Sequence, residues 1–300
     1  MQTAFMIATG RCTRSCPFCF YSTGYLGRPR EEAGTDRLLG AVEALAGLGV
    51  ERIVVTGGEP LVRPDIWRIL ARAGERGMAR LLLTNADLLD RAAVRRLLDA
   101  GVEAVSVSVN ELATLAKREE AIAALARGGA ASVTAIVAFH GENIREIPAI
   151  LSWAWRSGVT PLLQPAFIPA GSKWEKALSP RSFGEAEWRA VEPFFRAWAE
   201  DAGAGPYAGL VLGLYGRGAP LRPRSCAMGG SALVVDCDLT VYPCFHRRDL
   251  AAGILSSRNA QEIRAGLAEA CGEVSGAPCF GEHCVSLFAG VREVDLADAT

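Results

Sequence analysis

Short apolar runs alternate with amphipathic stretches along the first half of the chain, and no other feature of the sequence restricts the fold as much. One amphipathic stretch places Leu38, Val42 and Leu45 at helical spacing; it begins at Thr35 and ends near Gly49. The apolar runs have the length of strands and recur as expected for βα units. The predicted strands are Ala4–Ala8, Arg52–Val55, Arg80–Leu83, Ala104–Val109, Ser132–Ala138 and Thr160–Gln164.

Right-handed crossovers between such strands place them in one parallel sheet with the helices outside. Six βα units are fewer than the eight of a closed barrel. We therefore predict an α/β fold whose main domain, residues 1–203, is a partial (β/α)6 barrel. Ligands of such sheets bind at the carboxyl ends of the strands, and the motifs described below all follow predicted strands.

The formal net charge of the 300-residue chain is −1, which gives no reason to expect a nucleic-acid partner. No stretch has the roughly 20 apolar residues that cross a bilayer, and the N-terminus lacks the basic and apolar regions of a signal peptide. We therefore expect a cytoplasmic protein that has no contact with membranes. In that reducing compartment, the nine cysteines are expected to bind metal or to take part in catalysis rather than to form disulfides.

Cys12, Cys16 and Cys19 follow the first predicted strand with the spacing CxxxCxxC. Three thiolates on one short loop can hold three irons of a [4Fe–4S] cluster and leave the fourth iron open. A zinc site is the alternative, but zinc normally takes four ligands, and the next cysteine along the chain is Cys226. The spacing therefore favours an iron–sulfur cluster.

A second motif, Gly57-Gly58-Glu59-Pro60, stands at the end of the second predicted strand. Glycine allows close backbone approach and positive φ, so backbone N–H and C=O groups there are able to bind a ligand. Alone, such a strand-to-helix turn is common. At the end of the second strand of a chain that has the cysteine loop after its first, the segment is a specific sign of a ligand-binding site.

The cysteine loop, with Phe18 before its last cysteine, and the GGEP segment resemble those of the radical S-adenosylmethionine (SAM) superfamily. The resemblance covers nearly the whole chain. It implies that the open iron binds the methionine part of SAM. One electron from an external reductant, such as a flavodoxin or ferredoxin, then cleaves SAM to a 5′-deoxyadenosyl radical that removes a hydrogen atom from the substrate.

The same resemblance implies which residues bind SAM. The GGEP segment is expected to bind the amino-acid part of SAM, and ribose contacts are expected on the fourth strand, where ordinary small strand residues are an equally good explanation. Thr84-Asn85-Ala86 resembles the TNG turn of the family, and we assign it no role. The predicted SAM-binding residues are Gly57, Gly58, Glu59, Pro60, Ser106, Ser108 and Asn110.

The pattern changes after the sixth predicted strand. The Gly/Pro-rich segment 204–218 is predicted to be a linker, and residues 219–300, with six of the nine cysteines, a second and smaller domain. Before the linker lies an amphipathic helix whose aromatic side chains we expect to pack in the core. Its apolar residues are Trp188, Val191, Phe194, Phe195 and Trp198.

The smaller domain resembles the twitch domain, the short form of the SPASM domain, in which a β-hairpin and a helix surround an auxiliary [4Fe–4S] cluster. One departure is Leu239, where that family usually has a turn glycine. A zinc-bound knuckle is the alternative. The ligands that the resemblance implies are Cys226, Cys244, Cys279 and Cys284.

Cys237 and Cys271 are then left without a ligand role. Each is expected to be a small buried apolar residue, with the alternative that one of them donates a hydrogen atom to a substrate radical. We expect Asn143 to cap the next helix. Other polar residues near the predicted mouth are candidates for substrate contacts, although surface or hydrogen-bonding roles suit them better: Glu111, His140, Gln164 and His246.

Members of the family that are this short and carry a twitch domain oxidise or epimerise aminocyclitols and aminoglycosides, and some modify peptides. The first strand begins almost at the N-terminus, so we expect no leader-binding domain and a small-molecule substrate, a sugar or aminoglycoside of antibiotic biosynthesis. Epimerisation with a cysteine thiol as hydrogen donor is favoured. The alternatives are dehydrogenation with the auxiliary cluster as electron acceptor, peptide maturation, and a zinc- or cluster-binding scaffold without radical chemistry.

Overall fold

The computed structural model describes residues 2–19, 31–128, 132–201, 205–219, 221–226, 228, 230–256, 258–276 and 291–296. Contacts within the chain divide it into two compact units. The first comprises Met1–Val107, Arg118–Thr134 and Met228–Pro278. The second comprises Ser108–Lys117, Ala135–Ala227 and Cys279–Thr300.

All six predicted strands are present with nearly the predicted bounds, and further strands follow in the C-terminal third. The strands are β1 (Thr3–Thr9), β2 (Arg52–Gly57), β3 (Ala79–Thr84), β4 (Ala104–Ser108), β5 (Ser132–Phe139), β6 (Thr160–Pro165), β7 (Leu221–Cys226), β8 (Ala232–Val235), β9 (Thr240–Tyr242), β10 (Gly253–Ile254) and β11 (Val291–Leu296).

Helices occupy the connections between the strands, as the amphipathic pattern predicts. Short 3₁₀ turns lie at Pro60–Val62 and Pro180–Ser182, and a π-helical turn lies at Leu212–Gly216. The α-helices are α1 (Thr35–Gly47), α2 (Ile66–Glu75), α3 (Arg91–Asp99), α4 (Leu112–Leu115), α5 (Glu119–Arg127), α6 (Ile147–Arg156), α7 (Glu175–Leu178), α8 (Glu185–Asp201), α9 (Gly205–Val211) and α10 (Ala260–Gly276).

The first unit is built on a mostly parallel sheet with the strand order β10-β9-β8-β1-β2-β3-β4. β1 pairs in parallel with β2 on one side and with β8 on the other. β2 pairs in parallel with β3, and β3 with β4. Met6 and Ile7, neighbours on β1, are both fully buried, as in strands covered on both faces. The carboxyl ends of β1, β2, β3, β4 and β8 therefore lie along one edge, and the α/β prediction is confirmed.

The predicted C-terminal hairpin forms, and it belongs to this sheet. β8 and β9 pair antiparallel, and Leu239 in their turn has φ 74°, a conformation that favours glycine. All four residues of β8 are buried. Such burial requires a neighbouring strand and other elements packed on both faces of the strand, and β1 is that neighbour. The hairpin is thus part of the main sheet rather than of a structure apart from it.

The second unit contains most of β5, β6 and an aromatic core around α8. Rings of Phe139, Phe195 and Trp198 pack edge-on or tilted, with centroids 5.7 Å apart for Phe139–Phe195 and 5.2 Å for Phe195–Trp198. The Trp198 indole N–H donates to the Pro161 carbonyl at 2.8 Å. Core packing is confirmed for four of the five apolar residues predicted on this helix. Phe194 is the exception, because its side chain is 43% exposed.

Segment 204–218, predicted as a linker, is helical over residues 205–216, as α9 and the π-helical turn. Tyr207, Val211 and Tyr215 are buried there, and the Tyr207 ring lies 6.4 Å from that of Phe195. Apolar burial outweighs the low helix propensity of the glycines. Among the described helices of the whole chain, none is long and apolar enough to cross a membrane.

Candidate active site

The cysteine loop directly follows β1, as predicted. Cys12 is exposed, and Cys16 and Cys19 are half-buried. The Cys19 N–H donates to the Cys16 carbonyl at 3.1 Å, which makes a tight turn between these two residues. Among the described residues, no three His, Cys, Asp or Glu side chains lie close enough together to be a ready-made metal site. The three cysteines are therefore grouped by their place on one loop and not by an observed sulfur geometry.

Gly57 and Gly58 lie against the start of this loop at backbone contact. A Cβ on Gly57, whose φ is 146°, would meet the Thr9 carbonyl oxygen at 2.3 Å, and one on Gly58 would meet the Arg11 carbonyl oxygen at 2.2 Å. The Gly58 N–H donates to the Thr9 carbonyl and the Glu59 N–H to the Arg11 carbonyl, both at 2.8 Å. Two glycines are needed here because only a chain without Cβ atoms approaches this closely.

The Glu59 carboxylate is fully buried and accepts three hydrogen bonds. One oxygen accepts from the Leu61 N–H at 3.0 Å and the Thr84 hydroxyl at 2.8 Å; the other accepts from the Asn85 N–H at 2.7 Å. Burial raises the pKa of Glu59 above its usual value, although these hydrogen bonds oppose the shift. Glu59 therefore joins the turn after β2 to the turn after β3.

The turn after β3 contacts the cysteine loop directly. The Asn85 side-chain amide donates to Cys12 Sγ at 3.6 Å and to the Thr13 hydroxyl at 3.0 Å. Ala86, next in the turn, has φ 61°, the left-handed conformation in which glycine is favoured. The likeness of Thr84-Asn85-Ala86 to a TNG turn was therefore a real signal, although the sequence did not show which residue the turn contacts.

Asp87, in the same turn after β3, forms an ion pair with the cysteine loop. Its carboxylate accepts from Arg14 Nε at 2.7 Å and from the Thr13 hydroxyl at 3.0 Å, and it also pairs with Arg14 Nη2. The hydrogen bond from Arg14 holds the pKa of Asp87 below its usual value. The middle of the cysteine loop is thus fixed to the turn after β3 by an ion pair, two contacts of the Asn85 amide and a hydrogen bond from the Thr13 hydroxyl.

The beginning of the cysteine loop is held by Glu32. This half-buried carboxylate accepts from the Thr9 hydroxyl at 2.6 Å and from the Gly10 N–H at 2.9 Å, and it lies 3.4 Å from Arg11 Nε. Burial acts to raise its pKa, but the hydrogen bonds from Thr9 and Gly10 and the charge of Arg11 outweigh burial and lower it. Sequence reasoning did not find Glu32, since its partners Thr9, Gly10 and Arg11 lie more than 20 residues away along the chain.

Arg63 is a second residue that the sequence did not reveal. Its guanidinium, 6% exposed as a residue, donates to the carbonyls of Ala8 and Ala33, both at 3.2 Å. It also donates to both oxygens of Asp65, at 2.9 and 2.7 Å. This buried cation therefore joins the end of β1 to the segments before α1 and α2, and its paired carboxylate satisfies it.

The predicted ribose residues lie on or after β4. Ser106 and Ser108 are half-buried. Asn110 is 8% exposed; its side-chain oxygen accepts from the Ala138 N–H at 2.8 Å, and its carbonyl accepts from the Asn143 amide at 2.9 Å. The Asn110 oxygen is thus already used between neighbouring segments of the second unit.

Asn143 does not cap a helix, because α6 begins at Ile147 with Glu146 at the N-cap position. Its side chain instead accepts from the His140 N–H at 2.8 Å and donates to the Ala138 carbonyl at 2.9 Å. His140 is 3% exposed, and burial lowers its pKa to about 4. His140 is consequently neutral at physiological pH.

The other predicted substrate residues are more accessible. Glu111 is exposed just before α4, Gln164 is half-buried on β6, and His246 is half-buried after β9. The His246 N–H donates to Cys244 Sγ at 3.2 Å. Glu111 and Gln164 lie in the second unit and His246 in the first.

The C-terminal cysteines are only partly described. Cys244 is half-buried after β9, Cys226 is the last residue of β7, and Cys279 and Cys284 lie outside the described residues. Cys237 is 1% exposed among Ile7, Val234 and Tyr242, and burial raises the pKa of its thiol to about 12. The expectation that a spare cysteine is a buried apolar residue is therefore confirmed for Cys237. Cys271 lies half-buried on α10.

Comparison with known proteins gives matches over much of the chain. Residues 6–154 match the model of the Radical SAM superfamily. The chain is 31% identical over 163 residues to the PqqA peptide cyclase of Granulibacter bethesdensis. The matched segment covers 51% of the chain and 43% of that relative's length. It is 28% identical over 278 residues to the GTP 3′,8-cyclase of Erythrobacter litoralis, covering 83% of the chain and 81% of that relative.

The fold has counterparts among solved structures. Streptococcus suis SuiB bound to precursor peptide SuiA superimposes with a TM-score of 0.65 at 13% identity, covering 95% of the chain and 69% of SuiB. At that identity the likeness speaks for the fold alone. The family model covers the cysteine loop and the GGEP turn. These two segments follow β1 and β2, which pair in parallel, so both lie at the same edge of the sheet. The chain belongs to the radical SAM superfamily, whose members use a [4Fe–4S] cluster and SAM.

Proposed function

We propose that this protein is a radical SAM enzyme that modifies a peptide, with the SAM-cleaving cluster held by Cys12, Cys16 and Cys19. One observation carries the placement of the cluster: the cysteine loop is fixed by backbone hydrogen bonds from the GGEP turn, Gly58 to Thr9 and Glu59 to Arg11. Two motifs far apart in sequence therefore act as one structural element.

The donor set of the loop suits a cluster with one open iron. Three thiols on one short loop match three cluster irons, and all three are at least partly accessible. Cys12 Sγ accepts from the Arg14 N–H at 3.4 Å and from the Asn85 amide at 3.6 Å. Donors placed around a metal-binding sulfur stabilise its negative charge and its orientation.

When bound, the cluster and SAM supply a 5′-deoxyadenosyl radical that removes a hydrogen atom from the substrate. The chain's own residues hold the site in shape. Gly57 and Gly58 leave room for the backbone of the cysteine loop to approach closely, and the Glu59 carboxylate fixes the turn after β3. We propose that the GGEP backbone groups that remain available bind the amino-acid part of SAM. Ser106, Ser108 and Asn110 remain the proposed ribose contacts; the Asn110 side-chain oxygen also accepts a hydrogen bond from the Ala138 N–H.

The identity of the relatives supports a peptide substrate. The PqqA peptide cyclase is 31% identical to this chain over 163 residues, whereas neither relative named above acts, by its name, on a free sugar or an aminoglycoside. The expectation of sugar epimerisation therefore gives way to peptide modification, which had been its alternative. Because the chain spans only 43% of that relative's length, and because a GTP 3′,8-cyclase also matches, a nucleotide belongs among the substrates to be tested.

We further propose an auxiliary [4Fe–4S] cluster at Cys226, Cys244, Cys279 and Cys284. Its support is the sequence resemblance, together with a half-buried Cys244 whose sulfur accepts the His246 N–H at 3.2 Å. Anaerobic reconstitution should give about eight irons per chain with both clusters and about four with the first alone. Cys244→Ala should bring the higher value down to the lower one, whereas unchanged iron would refute the assignment.

The substrate proposal is tested by a SAM-cleavage screen. Reconstituted protein with dithionite or flavodoxin as reductant is incubated with SAM and with a panel of short peptides, GTP, or aminoglycosides. We expect peptides to raise 5′-deoxyadenosine release above the uncoupled rate and to show a mass change. Stimulation by an aminoglycoside or by GTP, with none by peptides, would overturn the peptide proposal and leave the family assignment intact.

A further inference from the structure

Every hydrogen-bonding group of Asn85 is engaged, and most of them with the cysteine loop or with a residue that fixes it. The backbone N–H donates to Glu59 at 2.7 Å, and the backbone carbonyl accepts from the buried guanidinium of Arg118. The side-chain oxygen accepts from the Asp87 N–H at 2.9 Å. With 9% exposure, the residue has little freedom to turn its side chain elsewhere.

The remaining group, the side-chain NH2, faces the cysteine loop. It donates to the Thr13 hydroxyl at 3.0 Å and lies 3.6 Å from Cys12 Sγ, within hydrogen-bond distance for sulfur. The Arg14 N–H approaches the same sulfur at 3.4 Å. Cys12 is thus a cysteine with an N–H donor from its own loop and another from a separate strand end.

A donor beside a cluster thiolate has an electronic effect as well as a structural one. Reduction adds negative charge to the cluster and its sulfurs, and an N–H dipole directed at a sulfur stabilises that charge. Hydrogen bonds to the sulfurs are among the factors that set the potential of iron–sulfur clusters. A donor that is rigidly held contributes this effect without reorganisation of the site.

We infer that Asn85 is a positioning residue for Cys12 and that its amide raises the reduction potential of the SAM-cleaving cluster. The inference rests on the proposed function, since it needs a cluster at Cys12. Within that function it assigns a role to the turn after β3, which lies outside both the cysteine loop and the GGEP turn. Glu59 takes part indirectly, because its carboxylate fixes the Asn85 backbone.

The test is an EPR-monitored redox titration of the reconstituted cluster without SAM. Asn85→Ala removes the donor and should move the midpoint potential to a more negative value. Asn85→Asp keeps the size of the side chain but replaces the N–H donor with a carboxylate oxygen, so its potential should be more negative still. Ala86→Gly is the matched control: it changes the same turn at a φ of 61° that glycine accepts and should leave the potential unchanged.

Equal potentials in wild type, Asn85→Ala and Asn85→Asp, with iron bound in all three, would overturn the inference and leave the proposed function standing. If Asn85→Ala fails to fold, as judged by circular dichroism, Asn85→Leu decides the question, because it lacks the amide, adds no charge and branches at the same carbon as asparagine. A wild-type protein that assembles no cluster at all would overturn both the inference and the proposed function. A shift of equal size in Ala86→Gly would also overturn it, because the effect would then come from the turn and not from the amide.

Discussion

The Asn85 N–H donates a 2.7 Å hydrogen bond to the Glu59 carboxylate, and this bond links the turns that follow β2 and β3. The two residues come from different βα units, yet both act on one loop. Glu59 reaches it through its backbone N–H, which donates to Arg11, and Asn85 through its side-chain amide. The glutamate of the GGEP turn therefore serves the architecture of the cysteine loop.

Glu59→Gln should destabilise the protein by about 1–3 kcal/mol, the cost of leaving a buried polar group unsatisfied. The carboxylate accepts from three donors, and the glutamine NH2 would face one of them, donor against donor. Urea unfolding measures the loss. Glu51→Gln is the control, because Glu51 is exposed and surface changes stay within about 0.5 kcal/mol. Equal stability of the two variants would contradict the role assigned to Glu59.

Gly58→Ala should prevent normal assembly of the cluster. The added Cβ would stand 2.2 Å from the Arg11 carbonyl oxygen, and because a Cβ is fixed to its own backbone and the carbonyl is itself backbone, the cysteine loop must shift. Iron per chain after anaerobic reconstitution is the measurement, and we expect it to fall well below the wild-type value.

Gly209→Ala is the matched control for that substitution. Gly209 lies within α9, and a Cβ there meets nothing within 4 Å. Iron content should stay at the wild-type value, and stability should rise by about 0.5–1 kcal/mol because alanine favours a helix interior. A Gly58→Ala protein with full iron would show that the close approach of the two turns is unimportant.

The ion pair between Arg63 and Asp65 should make the free energy of unfolding of the protein fall at acid pH. Hydrogen bonds from Arg63 hold the pKa of Asp65 below its ordinary value of 3.8. A depressed folded-state pKa contributes stability that is complete above the unfolded-state value and is lost as the pH falls through the folded-state value. Asp65→Asn should therefore cost stability at pH 6, and the difference from wild type should shrink below pH 3.8. A difference that is constant with pH would contradict this account.

Cys237→Ala should lower stability by roughly 1 kcal/mol, since it removes a buried sulfur from an apolar cluster. SAM cleavage by the variant should be normal once stability is allowed for. Cys271→Ala, at a half-buried position on α10, is the comparison and should change stability less. Loss of product with normal 5′-deoxyadenosine release in either variant, at unchanged stability, would instead support a hydrogen-donor thiol.

Local pattern was enough to predict the strands and the loops that follow them. The cysteine loop and the GGEP turn were found because each is a short segment whose residue types suit the chemistry. Arg63 and Glu32 were not found, and Asn85 was given no role, since what makes them important is contact with distant segments, such as that of Arg63 with the carbonyls of Ala8 and Ala33. No spacing in the sequence records such contacts.

Two differences between prediction and structure have the same physical origin. The glycines and proline of segment 204–218 suggested a linker, but burial of residues such as Tyr207 and Val211 makes it helical. The C-terminal hairpin looked like part of a separate domain, but β8 pairs with β1. In both cases tertiary burial, which a local pattern does not contain, decided the structure.

Release of 5′-deoxyadenosine from SAM by the anaerobically reconstituted, reduced protein tests the central claim most directly. The wild type should bind iron, show the brown colour of a [4Fe–4S] protein, and form 5′-deoxyadenosine. Cys12→Ala, Cys16→Ala and Cys19→Ala should each abolish that product, whereas Cys237→Ala should retain it. A colourless wild-type protein that holds zinc and leaves SAM intact, or three loop variants that cleave SAM normally, would contradict the assignment of radical SAM chemistry to this loop.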